Sequence, residues 1–212
     1  MPGNTSERLK ILIVTVSLSI KYIREETRRA LEALDTGDHI VDWIVLTEQL
    51  EDSEIYTHSE WTVGKTIRYN SNKARQFALE NGYDYMFFIE SDVIPPPHAL
   101  LVLLENEVDI VSGLLAERVS KVGENILSVY MQGLPGIREM VRAGKPFVFE
   151  HYQANTGRGC LLVSRRALEH PFQDSDGYYC EVMREKGFKV WVDPRVACSH
   201  VDRDGSIMEP VL

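Results

Sequence analysis

An α/β fold, in which a mixed and mainly parallel sheet is flanked by helices, is predicted by three features of the sequence. Short apolar runs at residues 10–16, 40–46, 85–89 and 108–112 have the length of buried strands. The first of these runs is also nearly all β-branched, which is typical of a strand covered on both faces. Helical periodicity fills the intervals between the runs, and strands that alternate with helices form parallel sheets with right-handed crossovers.

The elements of the first half follow one another regularly. After the strand at 10–16, the period changes and predicts a helix at 20–35, whose apolar face is Ile20, Ile23, Thr27, Ala30, Leu31 and Leu34. The strand at 40–46 leads into a polar segment, 48–63, predicted to be a loop. A helix at 64–81 is expected to end at Gly82, because glycine is favoured just after a helix. Three prolines follow the strand at 85–89 and predict a loop that includes Val93 and Ile94.

The second half is less regular. A leucine-rich helix around residues 100–104 and the strand at 108–112 complete the regular part. Beyond them the sequence predicts β-like pieces at 126–130 and 146–149, a helical piece at 137–142, strands at 160–163, 189–192 and 196–200, and a helix at 178–186. Without a repeat or a low-complexity linker, residues 1–212 are predicted to be one domain, with a regular half at 10–112 and a less regular half at 113–200.

Composition narrows the class of protein. A chain of 212 residues with 44% hydrophobic and 26% charged residues is typical of a soluble globular protein. The net charge of −9 argues against nucleic-acid binding, which needs a basic surface. We expect no membrane span and no signal peptide. Cys160, Cys180 and Cys198 fit neither a metal pattern nor a disulfide framework, so buried thiols and a cytoplasmic location are expected.

Two carboxylates directly follow the third predicted strand, in the tripeptide Glu90-Ser91-Asp92. Open α/β sheets bind ligands at the carboxyl ends of their strands. Carboxylate oxygens suit Mg²⁺ or Mn²⁺, and such ions commonly hold a diphosphate. The position therefore favours a nucleotide site. The alternative is that the acids cap the next helix or face solvent.

Several motifs of the second half occur in an order typical of one enzyme family. A glycine loop at 157–159 precedes an apolar strand, acids at 174–176 open a helix, and the strand at 196–200 ends in His200. Together with the first strand and Glu90-Ser91-Asp92, this order resembles the GT-A glycosyltransferases, especially small family 2-type members. The resemblance spans residues 10–200 and implies the GT-A, Rossmann-like nucleotide-diphospho-sugar transferase fold. It also implies that the half at 10–112 binds the nucleotide and that the half at 113–200 is the acceptor or catalytic half.

The resemblance implies a metal site. Glu90 and Asp92 match the acidic DxD element, which binds the divalent ion and the ribose of a sugar nucleotide, with glutamate as a departure at its first position. His200 matches a histidine that completes the metal shell in many members. Because imidazole suits Mn²⁺ better than Mg²⁺, Mn²⁺ is the favoured cofactor. The alternative for His200 is a hydrogen-bonded histidine on a strand face.

The resemblance also implies a catalytic base. Family 2-type enzymes carry an acidic pair at the start of the helix that begins here near Tyr178. Counting back from Cys180 assigns the second acid to Asp176, with Asp174 as its competitor. A carboxylate is needed because an acceptor hydroxyl is a weak nucleophile until a base takes its proton. Capping of the helix is the alternative role, and both roles are compatible.

Other residues of the sequence match positions that face the nucleotide in this family. Thr15 and Ser17 end the first strand, where the nucleoside lies in such enzymes, and Glu48 follows the second strand, near the base ring. Asn72 and Arg75 resemble a pattern that faces the nucleotide, and solvent exposure is their alternative. Arg118 and Arg203 are candidates for diphosphate contact.

The resulting hypothesis is a metal-dependent hexosyltransferase that moves a sugar from a UDP- or GDP-sugar to a hydroxyl of an unknown glycan, lipid or protein acceptor, with inversion. The alternatives are a retaining enzyme, a sugar-phosphate nucleotidyltransferase and a non-catalytic nucleotide- or glycan-binding domain. Nucleotidyltransferases usually carry a glycine-rich loop after the first strand, whereas residues 17–21 contain no glycine. Dinucleotide and P-loop motifs do not occur in the sequence.

Overall fold

The fold is described from a computed structural model, which covers residues 8–48, 60–118, 125–127, 129–130, 137–148, 155–173, 175–202 and 204–210. The strands are β1 (Lys10–Val16), β2 (Ile40–Leu46), β3 (Tyr85–Ile89), β4 (Val93–Ile94), β5 (Ile110–Arg118), β6 (Asn125–Leu127), β7 (Val129–Tyr130), β8 (Phe147–Val148), β9 (Asn155–Thr156), β10 (Cys160–Ser164), β11 (Val190–Val201) and β12 (Ile207–Met208). The helices are a 3-10 turn at Ile20–Tyr22, α1 (Glu25–Glu32), α2 (Glu60–Glu80), α3 (Ala99–Leu104), α4 (Ile137–Arg142), α5 (Arg165–Leu168) and α6 (Asp176–Glu185).

The central sheet has the strand order β12-β11-β5-β10-β3-β1-β2. β1 pairs in parallel with β2 and β3, and β5 pairs in parallel with β11. β10 runs antiparallel to both of its neighbours, β3 and β5. The four strands predicted for the first half therefore point the same way, as expected, but β10 separates the fourth of them from the others. The predicted α/β class and its mixed, mainly parallel sheet are confirmed.

Alternating side chains of the central strands divide the core into two layers. On one face, Leu12, Val14, Met86 and Phe88 pack with Ala74 and Ala78 of α2 and with Tyr179 and Met183 of α6. On the other face, Ile11, Ile13, Phe87 and Ile89 pack with Leu31 and Leu34 beside α1 and with Leu100 and Leu103 of α3. The helices predicted at 20–35 and 64–81 thus cover opposite faces of the sheet. No helix within the described ranges has the length and apolar character needed to cross a bilayer.

The helix predicted at 20–35 is interrupted. A 3-10 turn is followed by extended backbone at Ile23 and Arg24, and only then does α1 begin. The extended geometry lets the backbone N–H of Arg24 donate to the carbonyl of Ser91 at 2.8 Å. A tertiary hydrogen bond therefore overrides the helical periodicity, and Ile20 stays 57% exposed although it was predicted on the apolar face.

Three other boundaries differ from the prediction. Val93 and Ile94, predicted to lie in a loop, form β4 and pair with Ser199 and His200. The strands predicted at 189–192 and 196–200 are one strand, β11, whose pairing with β5 shifts register between Val192 and Ala197. Pro194 lies in that shift, where a residue without an N–H is tolerated. α2 begins at Glu60, inside the segment predicted to be a loop.

A first prediction tests the close approach of β5 and β11. A Cβ atom at Gly113 would lie 2.7 Å from a methyl carbon of Val196 and 2.8 Å from its carbonyl oxygen. Because a backbone atom cannot move aside cheaply, Gly113→Ala should lower the free energy of unfolding by about 1–3 kcal/mol in urea titrations. The control is Gly157→Ala, since a Cβ there meets its nearest atom at an ordinary 3.6 Å. Equal stability of the two variants would contradict the tight contact.

Candidate functional site

The Glu90-Ser91-Asp92 backbone is held by three different segments at the carboxyl end of β3. The N–H of Glu90 donates to the carbonyl of Gly159 at 3.3 Å, just before β10. The carbonyl of Ser91 accepts from Arg24 at 2.8 Å, and that of Asp92 accepts from Val201 at 2.8 Å, at the end of β11. The tripeptide is therefore the point where both halves of the chain meet.

Pairing of β4 with β11 brings Asp92 and His200 together. Val93, the residue after Asp92, is the register partner of His200. Nε2 of His200 lies 3.2 Å from Oδ2 of Asp92, far inside the ~10 Å beyond which two residues cannot share an ion through bonds of ~2 Å. Both side chains are partly exposed, 24% for His200 and 39% for Asp92, so a ligand in solution can reach them.

The spacing of the Asp92 and His200 atoms is compatible with an ion pair between them and also with two ligands of one divalent ion. Two ligand atoms bound at about 2.1 Å on adjacent positions of one ion lie about 3 Å apart, which matches the spacing of the Asp92 and His200 atoms. Among the described residues no three His, Cys, Asp or Glu side chains are grouped as a metal site would need, so Glu90 does not complete such a group with them. Ions of the Mg²⁺ type usually take one or two protein ligands plus phosphates and water. Two protein ligands would therefore hold such an ion only together with further ligands from outside the protein.

Glu90 lies beneath this pair in a crowded position. A Cβ atom on Gly159 would lie 3.3 Å from Oε2 of Glu90 and would collide with Leu115, so only glycine leaves room for the carboxyl group. Burial, together with the negative charges of Asp176 and Asp92, raises the pKa of Glu90 to about 7, although Arg158 and His200 act in the opposite direction. Glu90, Asp92, Asp176, Arg158 and His200 are thus electrostatic neighbours.

Asp176 is the first residue of α6 and is held by an arginine that the sequence analysis did not assign. Ser175 is the N-cap, and its Oγ accepts from the N–H of Tyr178 at 3.2 Å, so the capping role considered for Asp176 falls to its neighbour. Nε of Arg158 donates to Oδ1 of Asp176 in an ion pair. Arg158 is only 7% exposed. Its signal in the sequence was the position between Gly157 and Gly159, directly before a buried strand.

The predicted nucleoside positions on β1 are largely internal. Thr15 is fully buried, and its Oγ1 accepts from Nε1 of Trp43 at 3.1 Å. Oγ of Ser17 donates to the carbonyl of Ser19 at 3.0 Å, and the backbone N–H of Ser17 donates to Leu46. Their hydroxyl groups therefore serve the fold, and a role for these residues in nucleoside binding stays a prediction.

Glu48, Asn72 and Arg75 also have partners within the protein. The carboxylate of Glu48 pairs with Lys73, which raises the pKa of that lysine. Asn72 exchanges two hydrogen bonds with the backbone of Phe172, at 3.0 and 2.9 Å, and Arg75 donates to the carbonyl of Leu168 at 2.8 Å. Asn72 and Arg75 thus anchor the segment after α5, a use that neither nucleotide contact nor solvent exposure had anticipated.

Three further candidates cannot be described. Asp174 and Arg203 lie outside the described residues, and for Arg118 only the backbone of β5 is described. The cysteines are described, and Cys160, Cys180 and Cys198 are free and buried, as expected.

The chain matches no family model and no curated protein in sequence. Its fold is similar to that of a crystal structure of GalNAc-T7 with UDP, GalNAc and Mn²⁺, with a TM-score of 0.54 over 93% of this chain and 8% sequence identity. The chain spans 45% of the length of that neighbour. A likeness at this identity shows the fold, and the GT-A-like fold expected from the sequence is confirmed by it.

A second prediction follows from the raised pKa of Glu90. Its pKa is about 7 in the folded protein and 4.5 without the surrounding protein, so wild-type stability falls as the pH rises through this window. Glu90→Gln has no such charge to bury. In urea unfolding with EDTA, the free energy of unfolding of the variant relative to that of wild type should increase between these pH values. The increase should be at most about 3 kcal/mol near pH 8 and small near pH 4.5. A stability difference that does not change with pH would contradict the raised pKa.

Proposed function

We propose that this protein is a metal-dependent glycosyltransferase that moves a sugar from a UDP- or GDP-sugar to an acceptor hydroxyl, with inversion at the sugar carbon. The observation that carries the proposal is the convergence of Asp92, His200 and Asp176 at the open carboxyl edge of a GT-A-like sheet. The neighbour of similar fold, GalNAc-T7, has been crystallised with UDP and Mn²⁺, which supports a nucleotide diphosphate and a divalent ion here.

Asp92 and His200 would hold the ion, and Glu90 and Ser91 would line the donor side. The bound ion supplies positive charge that offsets the charge on the departing diphosphate. The imidazole ligand favours Mn²⁺ over Mg²⁺. Glu48 and the backbone at the end of β1 mark the proposed nucleoside side, because they follow the carboxyl ends of two adjacent strands.

Asp176 would be the proton acceptor. Its Oδ1 is held by Nε of Arg158, whereas among the described residues the hydrogen bond to Oδ2 is a long one of 3.4 Å, from the backbone N–H of Arg158. In a single displacement, Oδ2 takes the proton of the acceptor hydroxyl while the acceptor oxygen bonds to C1 of the sugar. The bond between C1 and the diphosphate oxygen breaks, and the nucleoside diphosphate leaves with the electron pair.

Each alternative function would need a different subset of these residues. A retaining transferase or a nucleotidyltransferase would use the metal site without Asp176 as base. A non-catalytic domain would bind the nucleotide or a glycan without turnover. A cytoplasmic location and a single domain are part of the proposal, with buried free thiols as support for the former.

The third prediction concerns metal dependence. Calorimetry with UDP and GDP should show binding that needs a divalent cation and is strongest with Mn²⁺, because diphosphate and protein share the ion. Asp92→Ala should abolish the Mn²⁺-dependent part without unfolding the protein, since the side chain is 39% exposed. Asp35→Ala, an exposed aspartate after α1, serves as the control. Equal affinity in EDTA and in Mn²⁺ would remove the metal from the proposal.

The fourth prediction concerns the base. In a panel of nucleotide sugars followed for diphosphate release, Asp176→Asn should lower kcat by about 10²–10⁴ and leave donor affinity nearly unchanged, since a base acts on the acceptor. Asp109→Asn is the matched control. Asp109 also pairs with an arginine, Arg166, but it directly precedes β5 and so lies at the edge of the sheet opposite to the candidate site. Loss of turnover in Asp174→Asn but not in Asp176→Asn would move the role by two residues. Normal turnover in both variants would favour retention.

A further inference from the structure

We infer that Arg158 is a positioning residue that fixes the carboxylate of Asp176 in the site, an inference that rests on the proposed role of Asp176 as base. Arg158 lies between β9 and β10, in the loop that reaches the carboxyl edge of the sheet. Its guanidinium bonds two elements at once. Nε donates to Asp176 at the start of α6, and the NH1 group donates to Oγ of Ser71 in α2 at 3.2 Å.

Burial fixes the position of the Arg158 guanidinium between Ser71 and Asp176. Ser71 is fully buried, and its Oγ donates to the carbonyl of Ile67 at 2.7 Å, so the hydroxyl that receives Arg158 is itself fixed on a long helix. The Arg158 side chain is 8% exposed and that of Asp176 is 24% exposed. A guanidinium is a rigid planar donor, and when both of its partners are fixed it determines where the carboxylate lies.

The loop sequence explains how an arginine reaches this place. Glycine at 159 lets the chain pass Leu115 and Glu90, where a side chain would collide with the leucine. A Cβ atom on Gly157 would be 3.6 Å from Oδ2 of Asp176, so the loop backbone lies directly against the carboxylate. The backbone N–H of Arg158 also faces Oδ2, at 3.4 Å. Both oxygens of Asp176 therefore face the loop, and only Oδ1 is tightly bound.

Charge supplies the second reason for an arginine here. The carboxylates of Asp176 and Glu90 flank the same loop, because Cβ atoms at Gly157 and Gly159 would lie 3.6 Å from Oδ2 of Asp176 and 3.3 Å from Oε2 of Glu90. Like charges this close to one loop repel each other, and Arg158, between the two glycines, supplies the positive charge that offsets this repulsion through its ion pair with Asp176. A misplacement of about 1 Å in a reacting group costs roughly 10²-fold in rate. Arg158 thus acts on turnover through Asp176 rather than through the donor.

The experiment compares Arg158→Lys, Arg158→Gln and Ser71→Ala with wild type. We expect kcat to fall about 10- to 100-fold in Arg158→Gln and less in Arg158→Lys and Ser71→Ala, with donor affinity by calorimetry within about twofold. The matched control is Arg166→Gln, which breaks an exposed Arg–Asp pair far from the site and should keep kcat normal. A loss of donor affinity with kcat preserved would overturn the inference and make Arg158 a phosphate ligand.

A readout without turnover separates this inference from the proposed function. The N–H of Tyr179 donates to the carbonyl of Ser175 at 3.0 Å in the first turn of α6. Its hydrogen exchange should accelerate at least about 10-fold in Arg158→Gln and stay unchanged in Arg166→Gln, because only the former releases the start of α6. If wild type transfers no sugar but exchange accelerates, the proposed function fails while the anchoring of α6 stands. Unchanged exchange and unchanged kcat in all three variants would overturn the inference. If Arg158→Gln does not fold, Arg158→Lys and Ser71→Ala decide by the same two measurements.

Discussion

The site depends on the antiparallel insertion of β10 between β3 and β5. In an all-parallel sheet, the start of one strand and the end of the neighbouring strand lie at opposite edges of the sheet. Because β10 runs the other way, the loop at 157–159 that precedes it lies beside Glu90, which follows β3. Gly159 therefore lies against Glu90, Cys160 pairs with Ile89, and Arg158 lies at the same edge of the sheet. One reversed strand thus brings together two sets of candidate site residues that are about 70 positions apart.

Electrostatics sets the second constraint on this edge. Carboxylates brought together repel one another, and burial makes each of them costlier to ionise. The protein reduces that cost in three ways. Arg158 neutralises Asp176 through an ion pair, Asp92 stays partly exposed to water, and Glu90 has a pKa of about 7, so that part of its population carries no charge at neutral pH. A bound cation would offset the negative charge of these carboxylates, and a diphosphate would in turn offset the charge of the cation. For this reason, nucleotide and metal are expected to bind together.

The strands and the faces of the helices could be predicted from sequence because they depend on local apolar periodicity. Runs such as 10–16 and 85–89 need no distant information, and both were found at their predicted bounds. The elements that were wrong depend on partners far along the chain. Val93 and Ile94 become a strand only because β11 lies beside them, and residues 20–24 lose their helix to a hydrogen bond with Ser91. The partners of Asn72 and Arg75 could not be predicted for the same reason, since the segment they hold lies about 100 residues later, and nucleotide contact by these two residues stays a prediction. The glycines on either side of Arg158 mark its loop in the sequence, but no local pattern shows that its partner is Asp176, 18 residues later.

The pairing of β4 with β11, which the sequence did not predict, is what brings the two proposed metal ligands together. Asp92 and His200 are more than 100 residues apart, and no covalent feature brings them together. Two backbone contacts do so. Val93 is the register partner of His200, and the N–H of Val201 donates to the carbonyl of Asp92 at 2.8 Å. Because side chains alternate along a strand, a slip of one residue in this pairing would turn His200 away from Asp92. β12 restrains such a slip from the other side, since Met208 pairs with His200 there. The register of this pairing therefore keeps the Asp92 and His200 side chains within 3.2 Å of each other without the help of an ion.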